Sequence, residues 1–253
     1  MSRAIGPADA AVARLLPIEW VNQNMQKLAL AAAIAAGSLA ATSAMAEGMT
    51  PYAGLGISYQ ALEADSGGVN TAGPFSNTDT DNDHVFAFRA VAGLANMASF
   101  GERVSLRGEL EFMMPEKASY ETFSLAWPYY ATDEMYGGFV NLYLDIAVPE
   151  ISAGTGVFVG GGFGGFRHDL SVTDGVVAGQ NKSSAYAWNL GGGVKQRFFD
   201  NVDLMASVRY IDYGKVGANL FLLGGGPAAG SYDLDQSGID VGLTITMSFD
   251  GLL

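Results

Sequence analysis

Two histidines are the side chains of this chain best suited to proton transfer. His168 is followed by Asp169 and Ser171, and Ser183 lies further along the same polar stretch. A histidine with serine and carboxylate partners can activate a hydroxyl group for acyl transfer. No motif links these residues, so solvated histidines are the favoured interpretation at both His84 and His168. We predict no catalytic residue.

Three aspartates at alternate positions, Asp79, Asp81 and Asp83, have the spacing of a calcium-binding loop. An EF-hand would need glycine where His84 stands and glutamate where Ala90 stands, so that motif is rejected and only loose binding of a divalent cation stays open. The run from Gly160 to Gly165 has no helix pattern after it, which excludes a dinucleotide fold. Because the chain also has no cysteine, we predict no metal site and no cofactor.

These residues must be positioned by strands, and the clearest strand pattern runs from Ser237 to Phe249. Apolar and polar residues alternate strictly there, with Ile239, Val241 and Leu243 on the apolar face. This period of two predicts a strand with one apolar side. Its length matches the roughly 9–11 residues of a tilted strand that crosses a bilayer. In hydrocarbon every backbone group must be paired, so such a strand predicts a closed barrel.

Seven more segments of similar length show the same alternation, which makes an even total of eight, as single-chain membrane barrels require. The predicted strands are Pro51–Leu62, His84–Asn96, Arg103–Met114, Tyr136–Val148, Gly156–Arg167, Ala185–Phe198, Val202–Tyr213 and the last segment.

The predicted connections alternate between long and short. Four are long and polar, namely Glu63–Asp83, Pro115–Met135, His168–Ser184 and Gly214–Gln236. The other three are Met97–Glu102, Pro149–Thr155 and Phe199–Asn201. Long loops at one rim and short turns at the other are typical of an outer-membrane barrel, with the short turns in the periplasm. We therefore predict an all-β, eight-stranded, antiparallel, up-and-down transmembrane β-barrel.

Charged residues of both signs fall on the polar faces of these strands. An eight-stranded barrel is just wide enough for side chains to fill it, and buried charges must pair. We predict a lumen plugged by ion pairs, with a gated narrow pore as the alternative. The predicted set is Arg89, Arg107, Glu109, Glu111, Asp145, Lys195, Arg197, Arg209 and Asp240.

The first 46 residues indicate export. Lys27 precedes an apolar run from Leu28 to Ala41, and small residues before Glu47 suit signal peptidase. We predict an uncertain leader over residues 1–24, which allows Met25 as the true start, a signal peptide over 25–46 and the barrel over 47–253. Without residues 1–46 the net charge changes from −13 to −14. This acidic balance argues against nucleic-acid binding.

Four short motifs carry a family resemblance: Arg107–Glu111, Val159–Gly164, Asn189–Val194 and Val208–Tyr210. With them the chain from Met49 to Phe249 resembles the small eight-stranded outer-membrane barrels, similar to the transmembrane domain of outer membrane protein A and to opacity-type porin-family proteins. The resemblance implies a monomer in the Gram-negative cell envelope. It also implies a structural or surface-interaction, adhesin-like role.

The last strand also resembles the assembly signal of that family, with candidate residues Asp240, Gly242, Ile245, Met247 and Phe249. The chain departs from the pattern by continuing to Leu253 after the aromatic Phe249. The resemblance implies as partners the barrel-assembly machinery, periplasmic chaperones, outer-membrane lipids and lipopolysaccharide. The long loops add host or phage surface ligands.

Two other functions remain open on the sequence. One is an outer-membrane enzyme that modifies lipid A, in which the rim histidines would act. The other is a secreted soluble barrel that carries a small apolar ligand, with its apolar faces inside. Sequence periodicity alone does not say which face of each strand points inward.

Overall fold

The computed structural model describes residues 48–70, 75–124 and 127–249, and their regular elements are strands. No helix among these residues is both long and apolar enough to cross a membrane. The predicted leader and signal peptide lie outside the described residues. The strands are β1 (Thr50–Asn70), β2 (Phe75–Phe100), β3 (Val104–Pro115), β4 (Ala118–Ser124), β5 (Trp127–Ala147), β6 (Thr155–Thr173), β7 (Val177–Phe199), β8 (Val202–Leu222) and β9 (Ala228–Ser248).

The strands form one closed ring of antiparallel pairs. Each strand pairs with the next, except that both β3 and β4 pair with β5, and β1 pairs with β9 to complete the ring. β3 and β4 are two parts of one crossing, interrupted after Pro115, whose nitrogen cannot donate to a ladder. The described residues therefore form the eight-stranded up-and-down barrel that the alternation predicted.

The predicted long loops are wrong in their extent, because most of their residues continue the strands. β1 and β2 stay in register from Tyr59 and Phe86 up to Asn70 and Phe75. β8 and β9 likewise pair across most of the stretch expected to be the last loop. The glycine-rich and polar composition of these segments resembles that of loops. Their backbone groups are satisfied by the neighbouring strand instead.

The polarity of the two barrel faces is reversed in these extensions, and β9 shows how. Even-numbered residues point inward from Tyr232 to Ser248. From Ile239 to Met247 the outward residues are apolar and Asp240 lies inside, whereas in the extension Leu234 lies inside and Asp235 outside. The outer surface is therefore suited to lipid in the lower part of the barrel, nearer the short turns, and to water in the upper part, formed by the strand extensions.

Exposed aromatic rings mark the two boundaries of the apolar band. Tyr59, Tyr186 and Trp188 are among the exposed rings at its upper edge, and Phe198 and Phe199 are at its lower edge. Trp188 and Phe198 are ten residues apart on β7, which at about 3.3 Å per residue and a tilt of about 45° gives roughly 23 Å. That is close to the apolar height of about 25 Å in outer-membrane barrels.

Candidate functional site

The centre of the lumen holds a layer of charges from four strands. Arg209 donates to both carboxylate oxygens of Glu111, at 2.6 and 2.7 Å, and to Asp240 at 3.0 Å. Arg89 donates to the same Glu111 at 2.8 Å, and Asn141 donates to its other oxygen at 3.0 Å. All five side chains are buried. The two arginines and two carboxylates are therefore neutralised inside the wall, as buried charges require.

A second charged layer lies nearer the short turns. Arg107 donates to Asp145 at 3.0 Å and to Glu109 at 2.8 Å, and Tyr52 donates to the same oxygen of Glu109 at 2.7 Å. The guanidinium of Arg107 lies 4.4 Å from the ring centroid of Tyr143, a cation–π contact. Hydrogen bonds and rings together fix its position across the lumen.

The two remaining predicted lumen residues lie at the mouth on the short-turn side. Lys195 is 3.4 Å from Asp145, and Arg197 pairs with Asp203 at 3.1 Å. The side chain of Arg197 is half exposed, so its pair is weaker than the buried ones. Asp203 is a member of the network that the sequence pattern missed, although it faces inward with the same period of two.

Above the charged layers the lumen is filled by an apolar core. It includes large side chains from the strand extensions, such as Phe166, Tyr213 and Leu234, each buried almost completely. Met113, a member of this core, lies 3.6 Å from the hydroxyl of Tyr213 and 3.9 Å from Nη2 of Arg209, so it links the core to the charged layer. The lumen is therefore blocked twice, first by paired charges and then by packed hydrocarbon.

His168 lies inside this core and not on a solvated rim. Its Nδ1 is 2.6 Å from Asp133. The expected neighbours Asp169 and Ser171 are one and three residues further along β6, on the opposite face of the strand, and are not its partners. Ser183 is directly opposite His168 on β7. His168 Nε2 and Ser183 Oγ are buried without a hydrogen-bond partner. His84, by contrast, is exposed and stacks on Tyr59.

The three alternating aspartates perform a structural task that the sequence did not suggest. Asp83, Asp81 and Asp79 accept hydrogen bonds from backbone N–H groups of β4, at 2.8, 2.6 and 2.6 Å. The donors are Ser119, Glu121 and Phe123, the residues opposite them if the register that pairs Ala87 with Pro115 is continued. Carboxylates thus replace the backbone ladder between β2 and β4. We call this contact the carboxylate seam.

A buried tyrosine of β4 lies close to this seam. Burial raises the pKa of Tyr120, and the negative charges of Asp83, Asp133 and Asp81 raise it further, while a hydrogen bond from Gln236 opposes the shift. The phenol therefore stays neutral. Within the described ranges, no group of three or more histidine, cysteine, aspartate or glutamate residues has a geometry that could hold a metal ion.

The candidate assembly residues occupy both faces of β9. Ile245 and Met247 point outward, and Asp240 lies in the charged layer. A Cβ on Gly242 would collide with Nη1 of Arg89, so glycine makes room there for the ion pairs. The backbone of Phe249 donates to the carbonyl of Pro51 at 2.9 Å, which ties the end of β9 to β1.

Residues 29–246 match the family described as outer membrane protein beta-barrel domain. No curated protein sequence gave a significant match.

Solved structures give the same fold. The outer membrane protease OmpT from Escherichia coli matches with a TM-score of 0.51 at 6% identity, over 83% of this chain and 100% of that one. OprG from Pseudomonas aeruginosa matches with a TM-score of 0.51 at 8% identity, over 79% and 95%. At these identities the similarity shows the fold alone.

Proposed function

Because the chain belongs to the outer membrane protein beta-barrel domain family, we propose that it is a closed barrel of the Gram-negative outer membrane with a structural or surface-interaction role. The single observation that carries the proposal is the double blockage of its lumen. An open porin needs a water-filled channel, which eight strands do not provide. The lipid-facing band and the aromatic rings support membrane insertion.

The cost of breaking the charged layer supports a static plug over a gated pore. Arg209, Glu111 and Asp240 share three hydrogen bonds in a volume from which water is excluded. Removing one partner of such a buried pair costs about 3–5 kcal/mol. Opening a pore would have to break these ion pairs, which raises the free energy by that amount, and would also have to separate the apolar core above them.

Conductance of the purified protein in planar lipid bilayers tests the plug. We expect no steady open-pore current for the wild type. Shortening side chains in both layers of the blockage, in the combined variant Arg209→Ala, Glu111→Ala, Phe166→Ala, should create a conducting path, provided that its heat-modifiable gel mobility shows a folded barrel. A steady current through the wild-type protein would refute the closed lumen.

The surface-interaction role rests on the part of the barrel wall above the upper edge of the apolar band. Asp65, Glu121 and Asp235 are among its outward acidic residues, and the exposed rings of Phe123 and Tyr130 lie on the hairpin of β4 and β5. Aromatic rings surrounded by polar groups are typical of interaction surfaces. Host or phage molecules and lipopolysaccharide are the partners that we propose for it.

Cells that display the variant Phe123→Ala, Tyr130→Ala test this surface. We expect weaker adhesion to host cells or lower phage plating than with the wild type. The control Val176→Ala removes an exposed apolar side chain from a different tip and should leave both unchanged. Equal behaviour of wild type and the double variant in both assays would exclude the aromatic pair as the contact.

One observation favours the second candidate, an enzyme that modifies lipid A. Asp133, His168 and Ser183 lie side by side on three neighbouring strands, with Nε2 and the hydroxyl unpartnered. A serine nucleophile, a base and an orienting carboxylate would need this order. Mass spectrometry of lipid A from cells that carry His168→Ala decides the matter, since an unchanged profile relative to wild-type cells removes the enzyme.

We also propose export through a cleaved signal peptide over residues 25–46, followed by insertion by the barrel-assembly machinery through the β9 residues. Periplasmic chaperones would hold the unfolded chain. N-terminal sequencing of the protein from outer membranes should begin at Glu47. A start at Met1 or Met25 in the mature protein would contradict cleavage.

A further inference from the structure

Two adjoining cavities lie at the short-turn end of the lumen, below the charged layers. The inner cavity has a volume of about 170 Å³ and the outer about 290 Å³. Asn96, Lys195 and Arg197 line both. A water molecule takes about 30 Å³ in the liquid, so the inner cavity has room for a small ion with ordered water.

The wall of the inner cavity combines three cations with neutral side chains, most of them polar. Arg107, Lys195 and Arg197 line it, with Asp203 as the one carboxylate among the described lining residues. The carboxylate of Asp203 is already engaged by Arg197. Thr50 and Ser248 add hydroxyl groups that can also donate. Glu109 and Asp145 pair with Arg107, and Asp145 also with Lys195, so the charges are balanced. What the cavity has in excess is hydrogen-bond donors.

Each of the three cations has donor capacity to spare. Arg107 Nη2 is buried without a partner. Lys195 has one contact with a described residue, the long 3.4 Å approach to Asp145. The guanidinium of Arg197 donates through Nε alone to the described part of the chain. A buried donor without a partner calls for an explanation such as an ion or water.

Asn96, which lines both cavities, has an unusual backbone conformation. Its φ of 56° is the one positive value among the described residues other than glycine, and it falls in the register shift of β2 against β3 between Leu94 and Ala98. Such a bulge bends the strand and often lies next to a functional site. Here the bulge lies beside Lys195 and Arg197, which line the same cavities as Asn96.

Charges of both signs meet at this end of an acidic molecule. Arg103, Arg107, Lys195 and Arg197 line the two cavities, while the chain as a whole has 13 basic and 26 acidic side chains. Carboxylates predominate on the opposite extension. Glu102 and Asp145 line the outer cavity as well, so an anion would be held there by short-range hydrogen bonds and not drawn in by a field of one sign.

We propose that the inner cavity is a binding site for a phosphate group, held by Lys195 and Arg197 with Arg107 at its inner wall. Guanidinium and ammonium groups are the usual partners of phosphate oxygens. The group would come either from inorganic phosphate in solution or from a phospholipid headgroup in the periplasmic leaflet of the outer membrane. This site goes beyond the structural and surface role proposed above and does not depend on it.

Calorimetric titration of the protein purified from outer membranes tests the proposal. Inorganic phosphate is the first probe, in detergent at constant ionic strength, and vesicles of phosphatidylglycerol against phosphatidylcholine are the second. The test variant is Lys195→Gln, Arg197→Gln. The matched control is Lys182→Gln, Lys215→Gln, which removes two exposed positive charges from the other end.

We expect saturable phosphate binding that is at least about tenfold weaker in the test variant, the loss of about 1.4 kcal/mol, and unchanged in the control. Binding of phosphatidylglycerol alone, with the same dependence on the variants, supports the site with a lipid as its source. Equal binding by all variants, or none to either probe, overturns the proposal. If the double variant does not fold, Arg197→Gln alone, at a half-exposed side chain, gives the same comparison.

Discussion

Individual side chains of this barrel gain their roles from partners that are far away in the sequence. Arg209 is 98 residues from Glu111, yet the two form a bidentate pair in the middle of the lumen. Lys215 and Asp233 form another ion pair of a cation with a carboxylate, on the outside of the barrel, where both side chains are half exposed. The two pairs differ in their exposure to water, and their energies should differ accordingly.

Replacement of Arg209 with methionine tests this difference. Glu111 and Asp240 would lose a buried partner, so we expect the free energy of unfolding to fall by about 3–5 kcal/mol. The control Lys215→Met should cost less than about 1 kcal/mol. Urea unfolding in detergent micelles, followed by tryptophan fluorescence, measures both. Equal small losses would mean that the central pair contributes no more than a surface pair.

The strands of this barrel keep their alternation of inward and outward residues from the lipid-facing band into the water-facing extensions. On β9 every second residue points inward from Tyr232 to Ser248. At the upper edge of the apolar band, however, the inward residues change from polar to apolar and the outward ones from apolar to polar. β2 and β4 show a second device, since they keep register although side chains separate their backbones. Both features let the wall extend beyond the membrane without an unpaired edge.

The carboxylate seam is tested by Asp81→Ala. Removing the carboxylate frees the amide of Glu121, and a hydrogen bond to a charged group contributes about 1.5–3 kcal/mol. We expect the hydrogen exchange of that amide to become about ten to a hundred times faster. Asp235→Ala, an exposed acid of β9, is the control and should leave the Glu121 amide protected. Unchanged exchange in Asp81→Ala would show that the seam is held by other contacts.

The boundary of the lipid-facing band is tested by placing the same residue at two depths. Leu243 is outward in the middle of the band on β9, and Leu243→Arg should destabilise the barrel by about 2–4 kcal/mol in lipid vesicles. Asn219 points outward on the β8 extension, above the apolar band. Asn219→Arg should therefore lower the stability of the barrel by less than about 1 kcal/mol. Similar costs in refolding titrations would place the membrane boundary elsewhere.

The whole molecule is a closed ring whose outside changes from apolar to polar along its axis. Such a surface requires an amphiphile around its lower half and water around its upper half. Apolar side chains on the outside also exclude the soluble ligand carrier, which needs those faces within. The filled interior leaves the wall above the membrane and the short-turn mouth as the surfaces available for partners.

Folding of the mature chain from Glu47 to Leu253 tests this arrangement. We expect a β-rich circular dichroism spectrum and heat-modifiable gel mobility with detergent or liposomes. In aqueous buffer alone we expect aggregation, because the apolar band has nothing to cover it. A soluble, monomeric, β-rich species without amphiphile would contradict the orientation of the strands.

The sequence by itself predicted the eight crossings, the short turns and which charges share the polar face of a strand. The structure put that face inside the barrel. Strict alternation between Ile239 and Met247 is a local property that one strand displays without its neighbours. Only the tertiary structure decided that the polar segments are strand extensions, that His168 is buried beside Asp133, and that Asp79, Asp81 and Asp83 bind β4. The physical reason is that these contacts join residues distant in sequence, and the closure of the ring sets which side chains meet.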